Sequence, residues 1–442
     1  MSGDIPPLGS GSTESGTAAR RFDGEQVVEH VARRRYAELV ARLVRVLGPA
    51  KLQLAEDVVQ EAFVRALRAW PAKGVPDDPE AWLLRVAKNL AVDGLRRRAV
   101  GERATEQLAA WERAREPEDG ALDDGALDDT LRMMFLCAHP ALAEDARVPL
   151  VLKTVCGFGN AEIAAALLAK EGTIAQRLTR AKARLESEGA RFEMPRGAEL
   201  ESRLGDVLQV LHLLFNEGYR AHRGEELVRL DLVHEAVRLA TLLTDDASTD
   251  RPEVHALLAL MLLTGARLPA RSDESGELLT LAEQDRSRWD RRWIAIGMEH
   301  FARSIAGETL TAYHAEAAIA TFHATARDYA STDWRAIRAE YERLLALRDD
   351  PVVRLNRAVA IAKVDGPRAG LAALDELEED GPLSGYFLRL ATRAQLEWDL
   401  GEHARAASAL EAALALPCSD PERRLLERRL AAVRRGEAAR AW

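Results

Sequence analysis

The stretch NAEIAAALLAKEGTIAQRLTRAKARLE (residues 160–186) scans as two short helices joined by a tight turn. Asn160 is placed to cap the first helix, and Ile163, Ala164 and Leu167 form its inner face. A turn around residues 169–172 then restarts the helix. At 100° per residue, Ile174, Leu178, Ala181 and Leu185 make one narrow apolar stripe. Thr173, Gln176, Arg180 and Arg184 fall on the opposite side, with Arg177 at its flank. A DNA-recognition helix needs this division: an apolar seam to its own domain, and amide, hydroxyl and guanidinium groups for base edges and phosphates. An Arg-rich solvated helix in an all-helical protein shows much the same pattern, so this segment alone does not separate the two readings.

Upstream, LAEDVVQEAFVRALRAW (54–70) carries an apolar face of Leu54, Val58, Ala62, Phe63, Ala66, Leu67 and Trp70. Asp57 and Glu61 stack one turn apart on its exposed side, beside Gln60. Like charges at that spacing cost a few tenths of a kcal/mol in an isolated helix. Their placement fits a basic partner surface as well as an ordinary surface helix. In PEAWLLRVAKNLAVDGLRRR (79–98), Pro79 suits a first helical turn, and Leu83, Val86, Ala87, Leu90 and Ala91 face inward. Arg85, Asn89 and Arg96 line another side, flanked by Trp82 and Asp93. Cationic groups for a backbone, with amide and aromatic groups for bases, are what unstacked single-stranded DNA requires. The helix dipole alone explains the closing Arg96-Arg97-Arg98 run but not the polar stripe. Between the two segments, PAKGVPDDP holds three prolines and a glycine and reads as a loop.

The bulk numbers fit this frame. At 442 residues the chain exceeds one ordinary domain. Its 47% hydrophobic, 5% aromatic and 30% charged content describes an aliphatic, helical protein, and no convincing period-2 strand is visible. The expected fold is all-α: two small helical domains, the second with a helix-turn-helix, then a large helical-repeat-like domain. The formal net charge of −10 is unevenly spread. Residues 20–100 hold 16 Lys/Arg against 11 Asp/Glu, and 147–192 hold 8 against 4. Residues 101–146 hold 4 against 12, so two basic blocks flank an acidic connector. The expected boundaries are a disordered tail (1–23), a first domain (24–99), an acidic linker (100–127), a second domain (128–192) and a C-terminal domain (199–442). Asp128-Asp129 ahead of TLRMMFL supplies the expected N-cap of the second domain. The N-terminus lacks a secretory layout, no apolar run approaches the ~20 residues of a membrane span, and Cys137, Cys156 and Cys418 form no disulfide framework. A soluble protein of the reducing cytoplasm is expected, without membrane association.

In order and spacing these segments resemble the sigma-70 family of RNA polymerase subunits, specifically its extracytoplasmic-function group, over roughly residues 25–190. LAEDVVQEAFVRALRAW is similar to the family's polymerase-binding helix, which implies a core-polymerase face of Asp57, Gln60, Glu61 and Val64. PEAWLLRVAKNLAVDGLRRR resembles the helix that melts and reads the −10 element, with residues 73–78 resembling its base-capturing loop. The resemblance implies −10 contacts from Lys73, Trp82, Arg85, Asn89, Arg96 and Arg97. VPLVLKTVCGFGNAEIAAALLAKEGTIAQRLTRAKARLE is similar to the −35-reading domain, implying contacts from Thr173, Gln176, Arg177, Arg180 and Arg184. RLGDVLQVLHLLFNEGYRAH, EQDRSRWD and STDWRAIRAEYERLL resemble the extension of one subgroup, which carries a tetratricopeptide-like C-terminal domain that regulates or supports activity. The implied partners are core RNA polymerase and promoter DNA, with an intramolecular contact between that extension and the sigma domains. Two departures stand out: Gly94 inside the −10 helix costs about 1 kcal/mol relative to Ala, and Gly157-Phe158-Gly159 precedes the helix–turn–helix.

Other constellations are weaker. Cys137-Ala138-His139 lacks the further ligands of a metal site and reads as a packed helix end. His212, His300, His314 and His323 lie in helical patterns and are expected as core or rim residues, and Glu217, Asp285 and Asp333 have no nucleophile or phosphate loop beside them, so they are expected to cap helices or bind partner side chains. No catalytic residue, metal or cofactor is expected, and the chain is not read as an enzyme. EQDRSRWD (283–290) reads as a buried salt-bridge network, with a ligand groove as the alternative. A helical-repeat scaffold or adaptor without polymerase binding is the competing reading for the whole protein.

Overall fold

Helix is the dominant regular structure: the chain is 74% helical, with no strand among the described residues and one antiparallel bridge, Ser272 to Leu278. The structure, a computed structural model, describes residues 24–98, 126–167, 169–219, 229–307, 309–377, 381 and 383–439. The expected tail at 1–23 and nearly all of the expected linker at 100–127 lie outside the described residues. Two compact units emerge, divided between Leu213 and Leu214.

The first unit opens with α1 (Gly24–Leu47), a 3-10 turn at Pro49–Lys51, α2 (Leu52–Lys73) and α3 (Pro79–Arg98). The loop expected over 71–79 is shorter than the prolines implied. Helix α2 runs through Pro71 to Lys73, and Gly74, at φ +84°, ends it. A proline in a last turn disturbs only one backbone bond, so the helix tolerates it. Asp78 Oδ1 accepts the Ala81 N–H at 2.9 Å, capping α3. The unit continues with α4 (Ala126–Cys137), α5 (Glu144–Thr154), α6 (Asn160–Ala166), α7 (Glu171–Ser187) and the start of α8 (Ala198–Tyr219). Leu39, Val40, Ala41, Leu43 and Val44 of α1 are all fully buried. A helix apolar all round needs neighbours on every side. Helices α2 and α3 cover one flank of α1, and α4 packs along another.

Two expected caps prove to be something else. Helix α4 begins at Ala126, so Asp129 is not an N-cap; it is fully buried and ion-pairs with Arg45 of α1 at 3.3 Å and Arg132 at 3.2 Å. At α6 it is the Glu162 carboxylate that reaches back to accept the Gly159 N–H at 2.7 Å, while Asn160 Oδ1 has no partner. This is the carboxylate half of a capping box, and it satisfies the N–H of the N-cap residue itself rather than the N–H two or three residues in that an N-cap side chain would take. Cys137 Sγ lies 3.0 Å from Thr154 Oγ1, burial pushes its thiol up to about 12, and His139 Nδ1 accepts the Ala141 N–H. That helix end is packed.

The second unit takes in the last turns of α8, then α9 (Leu230–Asp245), α10 (Pro252–Gly265), α11 (Arg291–Ser304), α12 (Ala312–Thr325), α13 (Trp334–Leu347), α14 (Pro351–Asp365), α15 (Pro367–Asp375), α16 (Phe387–Asp399), α17 (His403–Leu414) and α18 (Asp420–Arg434). Most helices pack on their sequence neighbours, while α10 meets α9, α11 and α12. Residues Val254 to Leu263 of α10 are buried on every face. By length and composition Pro252–Ala270 would suffice to cross a membrane, contrary to the expectation that no segment approaches this. Here 78% of that window is buried, as the core helix of a folded unit would be. Trp293 of α11 inserts against Gly265, where a Cβ would sit 2.6 Å from the indole. Asp290, Asp333 and Asp350 cap α11, α13 and α14 through side-chain oxygens.

The EQDRSRWD segment sits in the irregular stretch between α10 and α11. Its polar groups are spent on backbone rather than on the expected salt bridges. Buried Arg286 donates to the carbonyls of His323 at 2.6 Å and Ala326 at 2.8 Å, and its guanidinium lies 4.5 Å from the Trp289 ring centroid. Asp285 accepts the Ser287 N–H at 2.9 Å, and Arg288 donates to the Ser272 carbonyl at 3.2 Å. The arginine thus closes the carbonyl end of α12, where helices leave acceptors unsatisfied.

Candidate nucleic-acid interface

The helix–turn–helix begins with the Gly159–Glu162 cap and crosses its turn to α7, whose first bonds run from Thr173 and Ile174 N–H to the Lys170 carbonyl at 2.9 and 3.1 Å. The buried residues of α7 are Ile174, Leu178, Ala181 and Leu185, the same stripe its periodicity predicts. Thr173, Gln176, Arg180 and Arg184 are exposed on the outer side. Arg177 is half-buried, its Nε 3.0 Å from Asp145 Oδ2 of α5, and Arg184 pairs with Glu188 at 2.8 Å. Asp145 and Glu188 are themselves solvent-exposed, so each pair contributes on the order of 0–1 kcal/mol and yields readily to a phosphate.

On α2, Asp57, Gln60, Glu61 and Val64 all face solvent. Gln53 Nε2 donates to Asp57 at 2.7 Å, and Arg65 pairs with Glu61 at 3.1 Å, which offsets the like-charge stack. Leu67, expected inside, is 41% exposed beside Val64 at 36%. The face is therefore acidic, with Val64 and Leu67 exposed among its charges. The periodicity missed Leu67 because it lies at the border of the stripe.

Arg85 and Asn89 of α3 are exposed on one side, with Lys73 exposed at the end of α2. Trp82 is half-buried and meets the buried Trp70 edge-on at 5.6 Å, which ties the start of α3 to the end of α2. The Arg96 and Arg97 side chains lie outside the described residues. Arg42 and Arg35 of α1 hold Glu80 at 3.2 and 3.3 Å and fix the entry of α3.

The three segments sort onto recorded families. Residues 32–100 match the sigma-70 region 2 model and 132–185 the sigma-70 region 4 model. The chain is 30% identical over 172 residues to the ECF RNA polymerase sigma-E factor of Escherichia coli, covering 88% of that protein and 37% of this one. The chain belongs to the ECF RNA polymerase sigma factor family. Sigma factors are transcription-initiation factors and not enzymes. It is also 31% identical over 151 residues to the probable ECF RNA polymerase sigma factor SigI of Mycobacterium tuberculosis, covering 34% of this chain and about half, 51%, of that one. An uncharacterized protein of Rhizobium meliloti is 40% identical over 375 residues, 84% of this sigma factor and 88% of its own length. That likeness extends well past region 4. Residues 203–305 match a family of unknown function, DUF6596, which holds EQDRSRWD. No solved structure matches the chain.

Proposed function

We propose that this sigma factor binds core RNA polymerase and directs promoter-specific initiation, using Asp57, Gln60, Glu61 and Val64 as its core-binding face. In this reading Lys73, Trp82, Arg85, Asn89, Arg96 and Arg97 handle the melted −10 strand. Thr173, Gln176, Arg177, Arg180 and Arg184 dock in the −35 major groove. The observation that carries the reading is the pairing of a buried apolar stripe on α7 with an exposed outer row of Thr173, Gln176, Arg180 and Arg184, within a region 4 match. The helical array after α8 acts as a tetratricopeptide-like domain that contacts the sigma domains and regulates or supports their activity. Its support is the mostly neighbour-to-neighbour packing of α13 to α18. The protein works in the cytoplasm, where its polymerase is.

Arg180→Ala and Arg85→Ala test the promoter contacts. Each loses promoter-specific run-off transcription by core polymerase at least ~10-fold, the scale of one or two lost guanidinium contacts, while circular dichroism stays unchanged. Full transcription by both variants would overturn the assignment. A wild-type protein that fails to pull down core polymerase would favour a helical scaffold instead.

A further inference from the structure

The C-terminal end of α4, the irregular segment between α7 and α8, and the start of α8 line a cavity of about 710 Å³ in the first unit. That volume falls in the range of roughly 300–1,000 Å³ typical of small-molecule sites. The segment is held along its length. Gly189, at φ +61°, turns the chain out of α7, Gly197, at φ +55°, turns it into α8, and Pro195 between them is buried.

Four guanidinium groups line this cavity: Arg132 of α4, Arg191 and Arg196 of the segment, and Arg203 of α8. Three carboxylates line it too, and each is already matched. Glu193 lies 3.7 Å from Arg191, Glu199 pairs with Arg203 at 3.1 Å, and Glu188 pairs at 2.8 Å with Arg184, which lies outside the cavity lining. Arg196 has no carboxylate partner among the described residues. The lining is therefore net positive, with an arginine to spare. His139 adds a donor, because its Nδ1 accepts the Ala141 N–H and the neutral ring then carries its proton on Nε2. Arg203 Nε is a buried donor without a hydrogen-bond partner. Phe192 and Met194, both half-buried, supply an apolar patch in the same wall.

We propose that this cavity is a nucleotide-binding site, with Arg191 and Arg196 on the phosphates and the base against Phe192 and Met194. A planar guanidinium matches phosphate oxygens two at a time, and an aromatic face stacks on any base. Cationic and aromatic groups in one wall fit a ligand that is anionic at one end and flat at the other. A free nucleotide fits better than the backbone of a duplex. Arg203 is 8% exposed and His139 half-buried, so the donors behind the rim are recessed. A duplex presents its phosphates on a convex surface, which meets Arg191 and Arg196 at the rim and leaves the space behind them unfilled.

Isothermal titration calorimetry of the full chain, with ADP and pyrophosphate as probes and a chelator present, tests this. ADP binds at one site per chain and more tightly than pyrophosphate. Arg191→Ala/Arg196→Ala weakens both probes at least ~10-fold, the scale of a lost charged hydrogen bond. Both side chains are exposed, so the fold survives, as thermal melts will show. Phe192→Ala weakens ADP and leaves pyrophosphate unchanged. Absence of saturable heat at millimolar ADP, or equal binding by the double arginine variant, overturns the site. Pyrophosphate bound as tightly as ADP, or a Phe192→Ala variant that binds ADP normally, overturns the nucleotide assignment. A double variant that keeps ADP but loses affinity for duplex DNA places the two arginines on the DNA backbone and overturns the proposal as well. The calorimetry needs only the purified chain, so it decides the matter whether or not the chain directs transcription.

Discussion

Gly265 and Gly297 occupy the closest approach of α10 and α11, where a Cβ would meet Trp293 at 2.6 Å and Leu263 at 2.9 Å. Trp293 is 1% exposed, so its ring cannot swing into solvent without surrendering its packing. Gly265→Ala is therefore expected to destabilise the second unit by about 1–3 kcal/mol through overpacking. Gly205 of α8 has open space around its Cβ position, and Gly205→Ala is expected to be neutral or stabilising by up to ~1 kcal/mol. Urea titration of the two variants separates these outcomes. At this scale the sequence was readable where one helix face decided the matter. Ile174, Leu178, Ala181 and Leu185 are buried as their spacing required. Glu56 was not readable, because a charged residue on a helical wheel reads as solvent-facing until a cation from elsewhere in the chain covers it, as Lys182 does here.

Helix pairs carry a second kind of information, seen between α10 and α11. His255 Nε2 lies 2.6 Å from Asp250 Oδ1, and His255 Nδ1 lies 2.7 Å from His300 Nδ1. Neutral rings satisfy both contacts in one way: His255 donates to Asp250 and accepts from His300. A proton on His255 would make it donate to both neighbours and would force His300 to carry its own proton on Nε2 so that its Nδ1 can accept. Burial holds His300 down to about 4, with His255 and Arg303 adding to the effect, and burial also lowers His255 despite Asp250. Each imidazole is thus harder to protonate folded than unfolded. Its stabilising contribution is full above the ordinary histidine value near 6.5 and is lost as pH falls from there through about 4. Protection factors of amides across α10 and α11, each referred to its intrinsic exchange rate at the same pH, should fall over that window, and His255→Leu/His300→Leu should flatten the response; an unchanged slope would refute the account. None of this pairing could be read from the sequence, where the two histidines stand in separate helical patterns. Caps were legible in kind but not always in position. Asp285 and Asp333 cap as expected, whereas the start of α6 is closed by the Glu162 carboxylate on the Gly159 N–H and not by the Asn160 side chain.

For the whole molecule, the all-α architecture and the order of its parts followed from composition and periodicity, while the packing of the two basic blocks did not. A wheel describes one helix against an unnamed core. It cannot say that α1 is sealed by a helix some eighty residues onward. The end of the first unit shows why boundaries matter. Arg203 of α8 donates to the Phe135 carbonyl and lies 5.9 Å from that ring centroid, and Arg147 meets Asp206 at 2.6 Å. A chain lacking 214–442 keeps these contacts, but one lacking 199–442 loses them. The shorter chain is expected to be less stable by roughly 2–5 kcal/mol, since charged hydrogen bonds and a buried cation's partner disappear together. Thermal melts of the two truncations check this. Run-off transcription with the 214–442 deletion reports the role of the helical array, with unchanged activity reducing it to an added docking surface.

The all-round burial of α10 also bears on how the protein is made. A ribosome releases Pro252–Ala270 before α11 and α12, the helices that cover it, have been synthesised. At ~5–20 residues per second, the roughly 55 residues on to Thr325 take several seconds. Throughout that interval the nascent chain displays a segment greasy enough to be taken for a membrane span. Recruitment of a holdase chaperone, or of the membrane-targeting machinery by mistake, is a hazard concentrated at this one point of translation.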